Sequence, residues 1–348
     1  MKLAPVARAL RARSGVEHVL VHTGQHYDTL MSDTFFADLD LPHAQYELEV
    51  GSGTHGKQTA AVMDRFEPLC RDLRPDWVLV YGDVNSTVAA ALTAAKLGVP
   101  VAHIEAGLRS HDRSMPEEHN RVVTDHLADL LFTPSRDADE NLRREGISDD
   151  RIAFVGNVMI DTLVHALPRA RMLPTRSRLG LVDQSYAVVT FHRPSNVDDP
   201  WTLTGVVDAL ANIACRWPVV FPLHPRTKNR LAEAGLFGRL EGIRVLDPLS
   251  YLEMLSLVDG SALVITDSGG LQEETTFLGV PCLTVRPNTE RPITVREGTN
   301  RLVPSTTVGI LKAVDEIGDR RGPAQVERWD GRAADRITSA LCDGCRFE

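Results

Sequence analysis

The sequence predicts an α/β protein of two doubly wound domains with parallel sheets, facing each other across a cleft, and three observations carry that prediction. Short apolar runs alternate with helical patterns along the chain. The alternation breaks near the middle, dividing the chain into halves of similar length. Acidic, glycine and histidine motifs recur directly after the apolar runs, where the carboxyl ends of parallel strands gather ligands.

Taken in order, the chain opens in a helical pattern over residues 5–13, where a doubly wound domain would usually begin with a strand. Strands are predicted at 18–22, 77–81, 100–104 and 130–133, then at 186–190, 219–223, 243–246, 263–266 and 281–285. Residues 86–96 and 202–215 carry the helical spacing of crossover connections. Between 163 and 185, Pro168, Pro174 and several arginines replace sheet-like runs, which predicts a linker. The domains are therefore placed at 1–164 and 165–331.

Composition narrows the function. The chain has 348 residues, 43% hydrophobic and 24% charged, with a formal net charge of -9 and no long Lys/Arg run. That balance argues against nucleic acid or an anionic membrane as partner, while helix N-termini and a few local arginines can still hold a phosphate. No apolar stretch approaches the ~18–20 residues of a membrane span, and no signal-peptide core opens the chain, so a cytoplasmic protein is expected. The five cysteines, Cys70, Cys215, Cys282, Cys342 and Cys345, are odd in number and dispersed, which predicts no disulfide framework. Cys342 and Cys345 have CxxC spacing without the second pair a structural zinc site needs, and are read as incidental.

The densest chemistry lies between Tyr81 and Arg121. Gly82-Asp83-Val84-Asn85-Ser86-Thr87 and His103-Ile104-Glu105-Ala106-Gly107-Leu108-Arg109 each follow a strand-like run, and Pro116-Glu117-Glu118-His119-Asn120-Arg121 opens a helical one. Carboxylates grouped at strand ends are candidates for proton transfer. The alternative reading has them capping helices or pairing with Arg109, Arg113 and Arg121.

In the second half, Thr266-Asp267-Ser268-Gly269-Gly270-Leu271-Gln272-Glu273-Glu274 follows an apolar run. Two glycines at a strand-to-helix turn let a ligand approach the backbone, and the helix N-terminus offers N–H groups to a phosphate. Glu274, a turn later, suits ribose hydroxyls. The plainer reading is a tight turn with Asp267 or Ser268 as helix cap. His192-Arg193-Pro194-Ser195-Asn196 also sits at a strand end, where imidazole can exchange protons and the guanidinium can hold an anion; His224-Pro225-Arg226 repeats the arrangement. His22 and His26 flank a Gly24 turn, and His103 precedes Glu105 by two residues, patterns that do not predict a metal site. Absence of a Walker loop, a GxGxxG fingerprint and a G-x-S-x-G elbow gives no sign of ATP, a redox cofactor or a serine nucleophile.

These residues, in order along nearly the whole chain, resemble the non-hydrolysing UDP-N-acetylglucosamine 2-epimerase family. The matching stretches are TGQHYD (Thr23 to Asp28), GDVNST, HIEAGLRS, MPEEHNR, FTPS (Phe132 to Ser135), GNVMID (Gly156 to Asp161), TFHRPSN (Thr190 to Asn196), PLHPR (Pro222 to Arg226), TDSGGLQEE and TERPITVREGTNRLV (Thr289 to Val303). The resemblance implies a GT-B-like fold of two Rossmann-like domains, with a C-terminal helix at about 332–348 returning to the first. It implies reversible conversion of UDP-N-acetylglucosamine to UDP-N-acetylmannosamine by elimination and re-addition of UDP, with no cofactor and no metal, in a homodimer that supplies glycan precursors.

The resemblance places catalytic roles on Asp83, Glu105, Glu117 and His192. It places substrate binding on Lys2, Arg121, Arg193, Ser268, Gly269, Gly270 and Glu274, with Arg109 or Arg121 ordering the acids. Gln25, Lys57 and His224 match an activating pocket of some bacterial members, although Asp28 and Lys57 depart from those members' residues. Met1-Lys2-Leu3-Ala4-Pro5 matches a segment that follows a strand and a GTRPE loop in the family, so the expectation is a chain lacking that strand and its loop arginine. His-Arg-Pro-Ser at 192–195 replaces the commoner His-Arg-Arg/Ala-Glu. Rival readings are a hydrolysing relative that frees N-acetylmannosamine and UDP, an inactive nucleotide-sugar-binding homologue, and a GT-B glycosyltransferase.

Overall fold

The computed structural model describes residues 1–24, 38–183, 185–317, 322 and 324–343. The chain divides into two compact units, Met1–Thr162 with Glu327–Glu348, and Leu163–Val326. Both are Rossmann-like α/β units with parallel sheets.

The second unit carries a six-stranded sheet. Its strands are β7 (Ala187–Thr190), β8 (Val219–Pro222), β9 (Ile243–Leu246), β10 (Leu263–Thr266), β11 (Cys282–Val285) and β12 (Asn300–Val303), in the order β12-β11-β10-β7-β8-β9. These sequences form buried parallel strands because both faces are covered. Ala187, Val189 and Phe191 pack into one apolar cluster, whereas Tyr186 and Val188 pack into another; Leu263 and Ile265 divide from Val264 in the same way. Strand order reverses between the neighbours β7 and β10, which makes their carboxyl ends the topological switch point of the sheet.

In the first unit, β3 (Val78–Tyr81), β4 (Val101–Ile104), β5 (Leu130–Thr133) and β6 (Ile152–Phe154) pair in sequence order, while β1 (Val21–His22) and β2 (Tyr46–Glu47) form a separate parallel pair. The C-terminal helix Ala333–Asp343 packs on the first helix, Leu3–Arg11. Val6, Leu10, Ala333, Ala334 and Ile337 share a cluster with Ala102, Ile104 and Phe132 of the sheet. Asp161 caps that last helix, accepting from the backbone N–H of Ala333 (3.1 Å) and Ala334 (2.7 Å).

Three differences from the sequence expectation have physical causes. The stretch read as a linker begins as the helix Val158–Met172, with Pro168 inside it. Buried Leu163, Ala166 and Ala170 recur at helical spacing there, a face that the proline obscured. The strand predicted at 18–22 contracts to Val21–His22. Strands β2, β6 and β12 went unpredicted because the first two are only 2 and 3 residues long and the third, Asn-Arg-Leu-Val, is an edge strand with an exposed Arg301.

Candidate functional site

In the first unit the acids cluster around two strand ends. β3 runs into Gly82 with φ +64°, a left-handed conformation suited to glycine, and so turns Asp83 out of the strand direction. β4 runs into Glu105 with φ +71°, which is strained for a residue with a side chain and costs about 1–2 kcal/mol. Surrounding structure holds it there: the N–H groups of Glu105 and Ala106 both donate to the Phe132 carbonyl, at 3.1 and 3.0 Å. Strain of this sort concentrates at functional sites.

Two cations organise these acids. Lys2 pairs with Glu105, and its ammonium covers the Gly82 turn so closely that a Cβ at 82 would lie 2.5 Å from Nζ. Arg121 donates from Nε to Asp83 at 3.0 Å and pairs through Nη1 with Glu118. None of Asp83, Glu105 and Glu117 is the N-cap of a helix, since Val84 and Met115 occupy those positions. The capping reading therefore fails for them, while the pairing reading holds for Asp83.

The neighbouring glutamates of the helix Pro116–Leu127 have different fates. Glu118 is buried and fully engaged, accepting from the Ser110 N–H (3.0 Å), the Ser110 hydroxyl (2.9 Å) and the His111 N–H (2.8 Å) as well as Arg121. Glu117 is half-buried in the first turn, one helical turn before Arg121. Of the two arginines named as alternatives for ordering the acids, Arg121 contacts Asp83 and Arg109 does not. It binds Asp125 (2.7 Å) and Glu145 (2.7 Å) instead, because burial of Asp125 demands a cation.

Asp125 also bonds His103 Nδ1 at 2.6 Å, and His103 Nε2 bonds the Gly82 carbonyl at 2.8 Å. Burial alone would raise the Asp125 carboxyl, but His103 and Arg109 outweigh it and hold it below the usual range. The sequence reading missed Glu118 and Asp125; only their placement on one helix with Arg121 hinted at them.

In the second unit the switch point collects His192 and Arg193 after β7 and Asp267 to Gly270 after β10. Ser268 is the N-cap residue of the helix Gly269–Leu278, but its side chain makes no cap bond. Asp267 does not cap either: it accepts from the backbone N–H groups of His192 and Arg193. Asp267 thus ties the Arg193 backbone to the residue before Ser268, and Arg193 itself is half-buried with an Nε that is buried and makes no hydrogen bond. A side chain at Gly269 would press on charged groups, since a Cβ there would lie 2.6 Å from Arg291 Nη1 and 2.9 Å from Glu290 Oε1.

Glu290 and Arg291 belong to a buried network with Arg286 and Glu273, in which Arg286–Glu290 is 2.9 Å and Arg291–Glu273 is 3.0 Å. Burial would raise the Glu290 carboxyl, yet Arg291 and Arg286 hold it far below the usual range. Glu274 is the opposite case. Burial pushes its carboxyl up to about 7, with the Tyr251 phenol beside it countering only part of the shift. Its Oε1 makes no hydrogen bond of normal length and angle.

His224, exposed, stands beside His192 with ring centroids 5.6 Å apart. Lys57 is exposed in the first turn of the helix His55–Leu73. Gln25, His26, Asp28 and Cys345 lie outside the described residues. Cys70, Cys215, Cys282 and Cys342 are free thiols. Among the described residues, no group of three metal-ligating side chains forms, and no helix is long and apolar enough to cross a membrane.

Parallel sheets, grouped carboxylates at strand ends and an anion-ready glycine turn at a switch point define an α/β enzyme with Rossmann-like units. The UDP-N-acetylglucosamine 2-epimerase family model matches residues 8–342. A UDP-N-acetylglucosamine 2-epimerase of Methanocaldococcus jannaschii is 41% identical, spanning 99% of this chain and 96% of its own. A UDP-2,3-diacetamido-2,3-dideoxy-D-glucuronate 2-epimerase of Pseudomonas aeruginosa is 45% identical, spanning 98% and 96%. The crystal structure of the M. jannaschii UDP-GlcNAc 2-epimerase in complex with UDP-GlcNAc and UDP superposes with a TM-score of 0.90 over 99% of this chain and 96% of that one. The chain belongs to the UDP-N-acetylglucosamine 2-epimerase family.

Proposed function

We propose that this chain inverts C2 of UDP-N-acetylglucosamine, giving UDP-N-acetylmannosamine, by elimination and re-addition of UDP. One observation carries the reading: the acids of the first unit are held at strand ends by Lys2, Arg121 and a strained backbone at Glu105, an arrangement built for proton transfer. A carboxylate of the set Asp83, Glu105 and Glu117 removes the C2 proton. The C1–O bond then breaks, its electron pair leaves with UDP, and a C1–C2 double bond forms. UDP adds back at C1 while a proton reaches C2 from the opposite face.

Retention of UDP falls to the second unit. Its diphosphate takes the N–H groups and hydroxyl of Ser268 to Gly270 together with Arg193, and its ribose takes Glu274. His192, at the same strand ends, exchanges a proton with the departing phosphate oxygen. The reading includes a homodimer, checked by sedimentation, and a role in supplying glycan precursors.

A second substrate is favoured by the 45% identity with the diacetamido-glucuronate 2-epimerase. The C2 chemistry is the same, so parallel assays with both UDP-sugars decide between them. Turnover of UDP-N-acetylglucosamine to its UDP-linked epimer supports the first reading; turnover of the uronate alone refutes it.

A further inference from the structure

We infer that Asp267 is the positioning residue of His192, fixing the ring with its proton on Nδ1 so that Nε2 is the nitrogen that exchanges a proton with substrate. The inference rests on the proposed catalytic role of His192. Asp267 is fully buried, and its carboxylate accepts from two backbone N–H groups and a side-chain amide. The His192 N–H lies 3.2 Å from Oδ1 and 3.1 Å from Oδ2, the Arg193 N–H lies 2.9 Å from Oδ2, and Asn196 Nδ2 lies 3.0 Å from Oδ2. His192 Nδ1 completes the set, 2.9 Å from Oδ1.

Backbone N–H groups and an amide NH₂ can only donate, so the carboxylate faces them as an acceptor and the contact with His192 runs from Nδ1–H to Oδ1. Burial would raise the Asp267 carboxyl, but His192, Asn196 and the Arg193 N–H outweigh it and keep it ionised below the usual range. The side chain of His192 is 38% exposed against 0% for Asp267, so the acid holds the ring from within the protein. A histidine oriented in this way through its second nitrogen has one defined tautomer and one defined reactive atom.

His224 provides an internal contrast. Its Nδ1 accepts the Arg226 N–H at 3.2 Å as the cap of the helix Pro225–Glu233, so its proton sits on Nε2. Partial desolvation on one side of the ring, with His192 and Arg226 nearby, lowers its affinity for a second proton. Two neighbouring histidines are thus held in opposite tautomers, one by a carboxylate and one by a backbone amide.

The test is a long-range ¹H–¹⁵N correlation spectrum of the full chain with ¹⁵N-labelled histidine at pH 8.5, assigned with His192→Gln and His224→Gln. The expected pattern is a protonated Nδ1 and a bare Nε2 for His192, with the reverse for His224. A bare Nδ1 on His192 overturns the inference, and this readout stands even if Asp267 variants fold poorly. Asp267→Asn should abolish the fixed tautomer and lower kcat by about 10²-fold or more while changing UDP affinity less than about threefold. Full kcat in a folded Asp267→Asn enzyme that has lost the tautomer overturns it as well. A His192→Gln enzyme with full turnover and an unperturbed fold overturns the catalytic reading of His192, and with it the inference, whatever the spectrum shows.

Discussion

Glu274 and Asp83 carry the sharpest consequences of single side chains. Folding raises the Glu274 carboxyl to about 7 by burying it, so the stability tied to its protonated form is complete below the ordinary carboxyl range and is lost as pH rises through about 7. Without ligand, Glu274→Gln should therefore melt at the same or a higher temperature than the unaltered chain at pH 8, as calorimetry will show. Ribose hydroxyls donate to the ionised form, so binding should release a proton near pH 6.5. Uridine, which lacks a titrating phosphate, should bind more tightly as pH rises from 6 to 8, and calorimetry in buffers of different ionisation heat should detect the proton. Glu274→Ala should weaken UDP by about 1–3 kcal/mol through loss of charge-assisted hydrogen bonds; unchanged affinity would remove Glu274 from the ribose site. Asp83→Asn preserves shape but removes a charge held by Arg121, and should cut turnover by roughly 10² or more with an unaltered circular dichroism spectrum.

The strand-to-helix turns depend on small residues packed against charge. Gly269→Ala would place a methyl group 2.6 Å from Arg291 Nη1, in a network whose ion pairs leave little room to yield. A loss of about 1–3 kcal/mol in stability and a clear drop in UDP affinity are expected, measured by denaturant unfolding and titration. Elements of this kind were legible in the sequence to different degrees. β5, β8, β10 and β11 stand out because a strand buried on both faces reads as an apolar run. β12 does not, since polar Asn300 opens it and an exposed Arg301 follows. The acids and the glycine turn were visible as motifs, but the partnership of Asp267 with His192 was not. Those residues lie 75 apart in the chain and meet only because β7 pairs with β10. Capping by Asp267, the plainer alternative for this turn, fails because backbone N–H groups at the neighbouring strand's end take its oxygens.

Each unit has its own parallel strands and its own apolar clusters, and the proposed chemistry divides between them: acids for proton transfer on the first, the glycine turn and the His192–Asp267 pair on the second. The proposed epimerisation draws on both contributions in one catalytic cycle, because the proton at C2 and the bond to UDP at C1 must be broken and remade without loss of either fragment. Simple hydrolysis would instead let the sugar depart. Incubation with UDP-N-acetylglucosamine in heavy water, followed by proton NMR, separates these outcomes. The account predicts that the C2 proton signal disappears from UDP-N-acetylglucosamine and never appears in the UDP-N-acetylmannosamine that forms, with both sugars still joined to UDP. Epimer formed with its C2 proton retained, or free sugar released alongside UDP, would contradict it.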